Sequence, residues 1–291
     1  MSELLTASTI AELPSGLVRR CGTVLAEYGP VTQDSGNVSW LVDVGSGLLF
    51  VKTAGVPDTA LPGPPAPYFD HGGRVDLLRN AINLASSCAH PSLPRLLNVI
   101  ETPAGPALVY EAAQGELIHV PRGERSDPTS AYQRFAHLPA DQMLPVFDAL
   151  VDLHDDLAAS GWVACDLYDG CLIVDFATAA LKVIDLDTYR RGPSVNDMGR
   201  MFGDSHFMAP EEFALGAVID QRTTVFTLGR LIWHFGTRLT EEAGTFCGPT
   251  SLAHVVRQAC QPSPVDRYAS VGAFAQQWRE ARALPSPARR R

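Results

Sequence analysis

Residues 144–187 read LPVFDALVDLHDDLAASGWVACDLYDGCLIVDFATAALKVIDLD. The opening part, 144–160, is helical in pattern, because Val146, Leu150, Leu153 and Leu157 recur at intervals that share one helix face. CLIVDF (171–176) and LKVIDLD (181–187) are short β-rich runs separated by a small turn. Two aspartates stand where these patterns break. Asp166 lies between the helix and the first run, and Asp185 ends the second. A carboxylate at a strand end is an ordinary turn residue. The rest of the chain decides whether either is more than that.

Downstream the pattern is helical. RTTVFTLGRLIWHF (222–235) is a strongly apolar helix, and SVGAFAQQWREARA (270–283) places Val271, Phe274 and Trp278 at helical spacing behind Ser270, a good N-cap. Upstream it is strand-like. GTVLAEYG (22–29), NVSWLVDVG (37–45) and LLFVKTA (48–54) read as three antiparallel strands, with Asp34-Ser35-Gly36 and Gly45-Ser46-Gly47 as turns. GVPDTALPGPPAPY (55–68) is a proline-rich loop. RVDLLRNAINLASSCA (74–89) is a helix with Val75, Leu78, Ile82 and Ala85 on one stripe, stopping at His90-Pro91. LPRLLNVIETPAGPALVYE (93–111) reads as two more strands around Pro103-Ala104-Gly105. The expected fold is therefore α+β: a β-rich part followed by a helical one, joined near residue 112.

Four features fall in a fixed order: Lys52 in a strand (Phe50-Val51-Lys52), a strand ending at Leu108-Val109-Tyr110-Glu111, the helix with Leu153-His154 running into Asp166, and the strand ending in Asp185. Beyond them comes Gly203-Asp204-Ser205-His206-Phe207-Met208-Ala209-Pro210-Glu211-Glu212. In this order the chain resembles the protein kinase superfamily over roughly residues 22–282. The 203–212 segment is similar to the Ala-Pro-Glu end of a Ser/Thr kinase activation segment, and Arg267 stands where that family places the partner of the glutamate, here Glu211. The resemblance implies a bilobal fold, with an extension over 1–20, a small β-rich lobe over 21–112, a larger helical lobe over 113–285 and a basic tail over 286–291.

It also implies an ATP-dependent phosphotransferase, a Ser/Thr protein or peptide kinase using Mg²⁺ or Mn²⁺. Such chemistry needs charge neutralisation and positioning more than covalent steps. On the resemblance, Lys52 holds the α- and β-phosphates, Asp166 is the catalytic base for the acceptor hydroxyl, and Asp185 binds the metal. Nucleotide contacts fall at Ser35, Gly36 and the backbone of Tyr110, Glu111, Ala112 and Ala113, with Tyr110 at the gatekeeper position.

Departures from the family pattern are numerous. The turn Gly29–Gly36 lacks the usual glycines, so it is either a partial phosphate cradle or a plain hairpin turn. Ala164-Cys165 replaces His-Arg, and Tyr168 replaces a lysine. Cys171 stands in place of the metal-binding asparagine, where soft sulfur is a weak Mg²⁺ ligand. Asp187 replaces a glycine; Asp185 and Asp187 resemble the acidic pair of small-molecule kinases, and in an extended chain residues two apart point to one side. Asp187 then faces either the metal or solvent and Arg190. Asp169 reads as the cap of an Asp169-Gly170 turn. The glutamate that should meet Lys52 is Asn80 or Asn83 by register, with Asp76 as an outside candidate. Residues 114–143 read as a solvated spacer or a substrate-facing insertion. These departures keep two alternatives open: a pseudokinase acting as a nucleotide-binding scaffold, and a small-molecule kinase.

Composition narrows the partners. The chain has 32 acidic against 23 basic residues, a net charge of −9, so non-specific nucleic-acid binding is not expected. No run approaches the ~18 apolar residues of a membrane span, and the N-terminus shows no secretory pattern. Six scattered cysteines form no Cys-x-x-Cys pair, which fits free thiols in a reducing cytoplasm. The expectation is a cytoplasmic monomer or weak dimer, with ATP and a protein or peptide acceptor as partners.

Overall fold

A computed structural model of the chain describes residues 2–29, 35–57 and 68–284. Segment 30–34, most of the 55–68 loop and the 286–291 tail lie outside the described residues. The protein is mixed α+β, as expected, and divides into two compact units: Met1–Ala89 with Pro94–Ala113, and His90–Leu93 with Gln114–Arg291.

The first unit is built on an antiparallel sheet of β1 (Thr23–Tyr28), β2 (Val38–Asp43), β3 (Leu48–Thr53), β4 (Leu96–Thr102) and β5 (Gly105–Glu111), in the order β1-β2-β3-β5-β4. Side chains alternate across a sheet, so its register sorts them into two faces. Trp40 pairs with Val51, and Val51 with Val109. These share one face with Val42, Leu49, Ile100 and Ala107 and form the larger core, where each buried valine, leucine or isoleucine contributes roughly 1.5–3 kcal/mol. Lys52 pairs with Ser39 and Leu108, and Phe50 with Tyr110. Lys52 and Tyr110 therefore share the other face. There Leu108 packs with Ala54 and with Leu78 of α2 (His71–Ser87). Arg74 of α2 is fully buried and donates to the carbonyls of Ala54, Phe69 and Val56 at 2.8–2.9 Å.

The N-terminal residues are part of this unit. Leu4, and Leu17 and Val18 of α1 (Pro14–Cys21), lie in the larger core. Asn98 donates to the Leu4 and Ala7 carbonyls, and Glu101 of β4 bonds with Ser8 and Ile10. No element was expected for 14–21, because eight residues interrupted by Ser15-Gly16 give a weak periodic signal.

The second unit contains α3 (Ala131–Ala136), α4 (Ala140–Ala159), α5 (Gln221–Gly236), α6 (Thr250–Ala259) and α7 (Val271–Ala283), with short strands β6 (Glu116–Leu117), β7 (Trp162–Val163), β8 (Leu172–Asp175), β9 (Ala180–Val183), β10 (Arg190–Arg191), β11 (Ser194–Val195) and β12 (Val218–Ile219). α5 is buried almost all round from Thr223 onward, with only Arg230 half-buried there, as a helix apolar on most faces must be. It packs against α3, α4, α6 and α7. Gly229 permits the contact with α6, since a Cβ there would stand 2.8 Å from the Cβ of Ala259. α7 starts as predicted, with Ser270 Oγ accepting from the Ala273 amide. It is held to α4 by Trp278 and Arg282 on Asp148 and by Arg279 on Asp152 and Asp155.

Residues 114–143 are not a solvated spacer. Ile118, Ala131, Tyr132, Phe135 and Ala136 are buried. Their spacing (Tyr132, Phe135, Ala136) is helical, but six residues are too few to stand out from their polar flanks. Among the described residues, no helix is long and apolar enough to cross a membrane.

Candidate functional site

Asp166 and Asp185 have left-handed backbones, with φ of 58° and 57°. Non-glycine residues rarely adopt this conformation. Aspartate tolerates it better than most, and such strain collects at functional sites. Both lie in the second unit and approach one another around Cys171. The Cys171 thiol donates to the Asp166 carbonyl at 3.3 Å, and the Ile184 amide, one residue before Asp185, donates to the Cys171 carbonyl at 2.8 Å. Thr188 Oγ1 adds a bond to the Cys165 carbonyl at 2.9 Å. α5 supports the loop from behind, where Thr224 Oγ1 accepts from the Ala164 amide. Burial, joined by the charges of Asp166 and Asp185, pushes the Cys171 thiol well up. As placed, Cys171 donates to the loop backbone, and burial disfavours the thiolate that a metal ligand would need.

The shared-face argument for Asp185 and Asp187 does not hold. The chain is not extended there: Asp185 is left-handed and Leu186–Thr188 is a 3₁₀ turn. Asp185 is exposed, whereas Asp187 is buried. A hard cation would find an accessible carboxylate at Asp185, so the donor chemistry fits Mg²⁺ at that residue and not at Cys171.

Asp169 does not cap its own turn. It is fully buried, and its Oδ1 lies 2.9 Å from His119 Nδ1 while Oδ2 lies 3.7 Å from Arg125. Arg125 also reaches Asp204 at 3.4 Å. The hydrogen bond that Asp169 accepts raises the His119 pKa. Burial alone would raise Asp204, but donation from the His206 amide and the Arg125 guanidinium bring it below the usual carboxylate range. His119 and Arg125 were not legible as site residues, because they come from the segment read as spacer, about fifty residues from the loop they meet.

Segment 203–212 closes on the same loop. Gly203, with φ of 130°, lies so close that a Cβ would sit 3.4 Å from Asp166 Oδ1 and 3.2 Å from Met208 Cγ. Glu212 accepts from the Ala209 amide at 2.7 Å, and burial, with Glu211 and Asp166 adding charge, pushes it up to about 7. Glu211 is paired with Arg267, which also donates to the carbonyls of Arg222, Gln261 and Pro262. Thr223 Oγ1 donates to Glu211 at 2.9 Å. Behind the site, His154 is buried, with Nδ1 donating to the Leu150 carbonyl and Nε2 2.8 Å from the Tyr189 hydroxyl.

The remaining predicted residues belong to the first unit. Lys52 is half-buried in β3. Asn80 of α2 is half-buried, whereas Asn83 and Asp76 are exposed. Gly36 has φ of 80°, and Ser35 Oγ accepts from the Asn37 amide. Tyr110 is half-buried beside Leu108. The Glu111 and Ala112 amides are already committed to the carbonyls of Arg95 and Leu48. Backbone recognition at this strand end would then rest on carbonyls and on Ala113.

No protein-family model matches the chain, and no curated protein matches it.

Proposed function

We propose that the protein is an ATP-dependent phosphotransferase of the protein-kinase type, acting on a hydroxyl of a protein or peptide. On this reading the first unit is the small lobe and the second the large lobe. The observation that carries it is the convergence, within the second unit, of three separated segments: the loop of Asp166, the turn of Asp185 and the Gly203–Glu212 segment. Asp166 orients the acceptor hydroxyl and takes its proton. Its left-handed backbone, tied at the carbonyl to Cys171, holds the carboxylate in place. Lys52 neutralises phosphate charge as a fixed cation on the sheet. Asp185 would hold Mg²⁺, which neutralises charge on the transferring phosphoryl group when bound. The Glu211–Arg267 pair anchors the far end of the segment against which a peptide would lie.

One observation favours a second reading, a nucleotide-binding scaffold without transfer: a buried neutral thiol, Cys171, stands where the family carries a metal ligand. Incubation with labelled ATP, Mg²⁺ or Mn²⁺ and generic peptide acceptors, beside Asp166→Ala, separates the two. Transfer by the wild type and none by the variant is the expected result. An ATP-induced rise in melting temperature without transfer would favour the scaffold. Neither transfer nor a thermal shift would overturn both.

A further inference from the structure

Away from Asp166 and Asp185, three side chains aim single donor atoms at one point. They are His206 of the Gly203–Glu212 segment, His234 in the last turn of α5, and Glu241 in the turn that follows. His206 Nε2 lies 2.8 Å from His234 Nδ1, His234 Nδ1 lies 2.8 Å from Glu241 Oε1, and Glu241 Oε1 lies 3.4 Å from His206 Nε2. His234 is buried, whereas the side chains of His206 and Glu241 are each about 35% exposed. Two of the three side chains therefore reach solvent.

We propose that His206, His234 and Glu241 bind a divalent transition-metal ion, with Zn²⁺ the best fit. Two imidazole nitrogens and one carboxylate oxygen form a donor set that suits Zn²⁺ and not Mg²⁺. Ligand atoms about 2.05 Å from one ion stand roughly 2.9 Å apart at a right angle and 3.3 Å apart at the tetrahedral angle. The observed triangle spans that range with little adjustment. Without an ion, His234 Nδ1 and the Arg230 guanidinium are the donors that face His206 Nε2 and the Glu241 carboxylate. A cation among the three atoms would take one lone pair from each.

The surroundings match those of a metal ligand set. Histidine ligands usually engage their other ring nitrogen, which fixes tautomer and orientation. His234 Nε2 is 2.6 Å from the Tyr132 hydroxyl, so Nδ1 is left as the ligating atom. Arg230 holds Glu241 Oε2 at 3.0 Å, which leaves Oε1 to face the ion. Arg230 also lies 3.3 Å from His206 Nε2. That contact would be released on binding, and the nearby guanidinium charge moderates the affinity. Water would complete the coordination. The ion would staple segment 203–212 to the end of α5 and the turn beyond it, fixing residues otherwise joined by long loops.

The test is independent of phosphotransfer, since it uses metal alone and no nucleotide. Metal-free full-length protein is titrated with ZnCl₂ and, separately, with CoCl₂ as a spectroscopic probe. Binding of a single Zn²⁺ with a rise in melting temperature is expected. Co²⁺ should show visible d–d bands of nitrogen and oxygen ligation without thiolate charge-transfer bands. His206→Ala and Glu241→Gln should each weaken Zn²⁺ binding by more than about tenfold, the range that loss of an outer-shell partner already reaches. No Zn²⁺ binding, thiolate bands from the cysteines, or undiminished binding in both variants would overturn the proposal. Should a variant fail to fold by circular dichroism, the wild-type cobalt spectrum still decides between imidazole–carboxylate and thiolate ligation.

Discussion

The guanidinium of Arg267 lies bidentate on the carboxylate of Glu211, with N–O distances of 2.6 and 2.9 Å, in a site where both residues are under 9% exposed. Phe226 covers the guanidinium, its ring centre 4.6 Å away. A buried pair with every donor engaged is tolerable; half of one is not. Arg267→Ala is expected to destabilise the protein by about 3–5 kcal/mol in chemical denaturation, because Glu211 would keep a buried charge. Replacing both residues with apolar ones of similar volume should recover most of that loss. An Arg267→Ala variant within about 1 kcal/mol of wild type would show that the pair is solvated.

Glu212 sets a slope of stability against pH. Its folded pKa, about 7, lies above the ordinary value of 4.5. The unfolded chain releases this proton first as pH rises, so the contribution is full below pH 4.5 and lost by the time pH passes about 7. The loss amounts to up to about 3 kcal/mol. Glu212→Gln should equal wild type near pH 4 and exceed it in stability near pH 8, as read by urea midpoints. Equal midpoints at both pH values would rule out a buried ionising carboxyl.

His154 gives the opposite slope. Burial pushes it down to about 4 from 6.5. The unfolded chain takes up this proton first as pH falls, so stability present above pH 6.5 is lost on going down to about 4. The total is about 3 kcal/mol. Between pH 4.5 and 6.5 the effects of His154 and Glu212 oppose each other, so each must be read as variant minus wild type. His154→Gln should flatten acid destabilisation, measured by melting temperature from pH 7 to 4.

His119 reports on Asp169. Its pKa is raised first by the Asp169 hydrogen bond. The stability that this bond lends is full below pH 6.5 and disappears as pH rises through the raised value. In Asp169→Asn the His119 titration midpoint, followed by proton NMR, should move down. An unchanged midpoint would mean that the pair does not form in solution.

Much of the scaffold was legible because its signals are local. The alternation in β2 and β3 and the three-to-four spacing in α4 and α7 need only one buried face each. α6 carries the same spacing in Leu252, Val255, Val256 and Ala259, set among polar residues that weaken the signal. The positions of Asp166 and Asp185 stood out as breaks in a pattern. Their left-handed backbones did not, since φ at one residue depends on hydrogen bonds made by others.

By itself, then, the sequence determined an α+β chain with a β-rich part followed by a mainly helical one, and two aspartates at element ends. It did so because hydrophobic periodicity is written residue by residue. Only the tertiary structure decided that Asp169 meets His119 and Arg125, that Cys171 is a buried donor to Asp166, that Asp187 turns away from the extended path assumed for it, and that His206, His234 and Glu241 converge. Each of these depends on which segments a long loop brings together. Nothing in the spacing of polar residues records that, because a polar side chain carries no period and declares its partner only when both are folded.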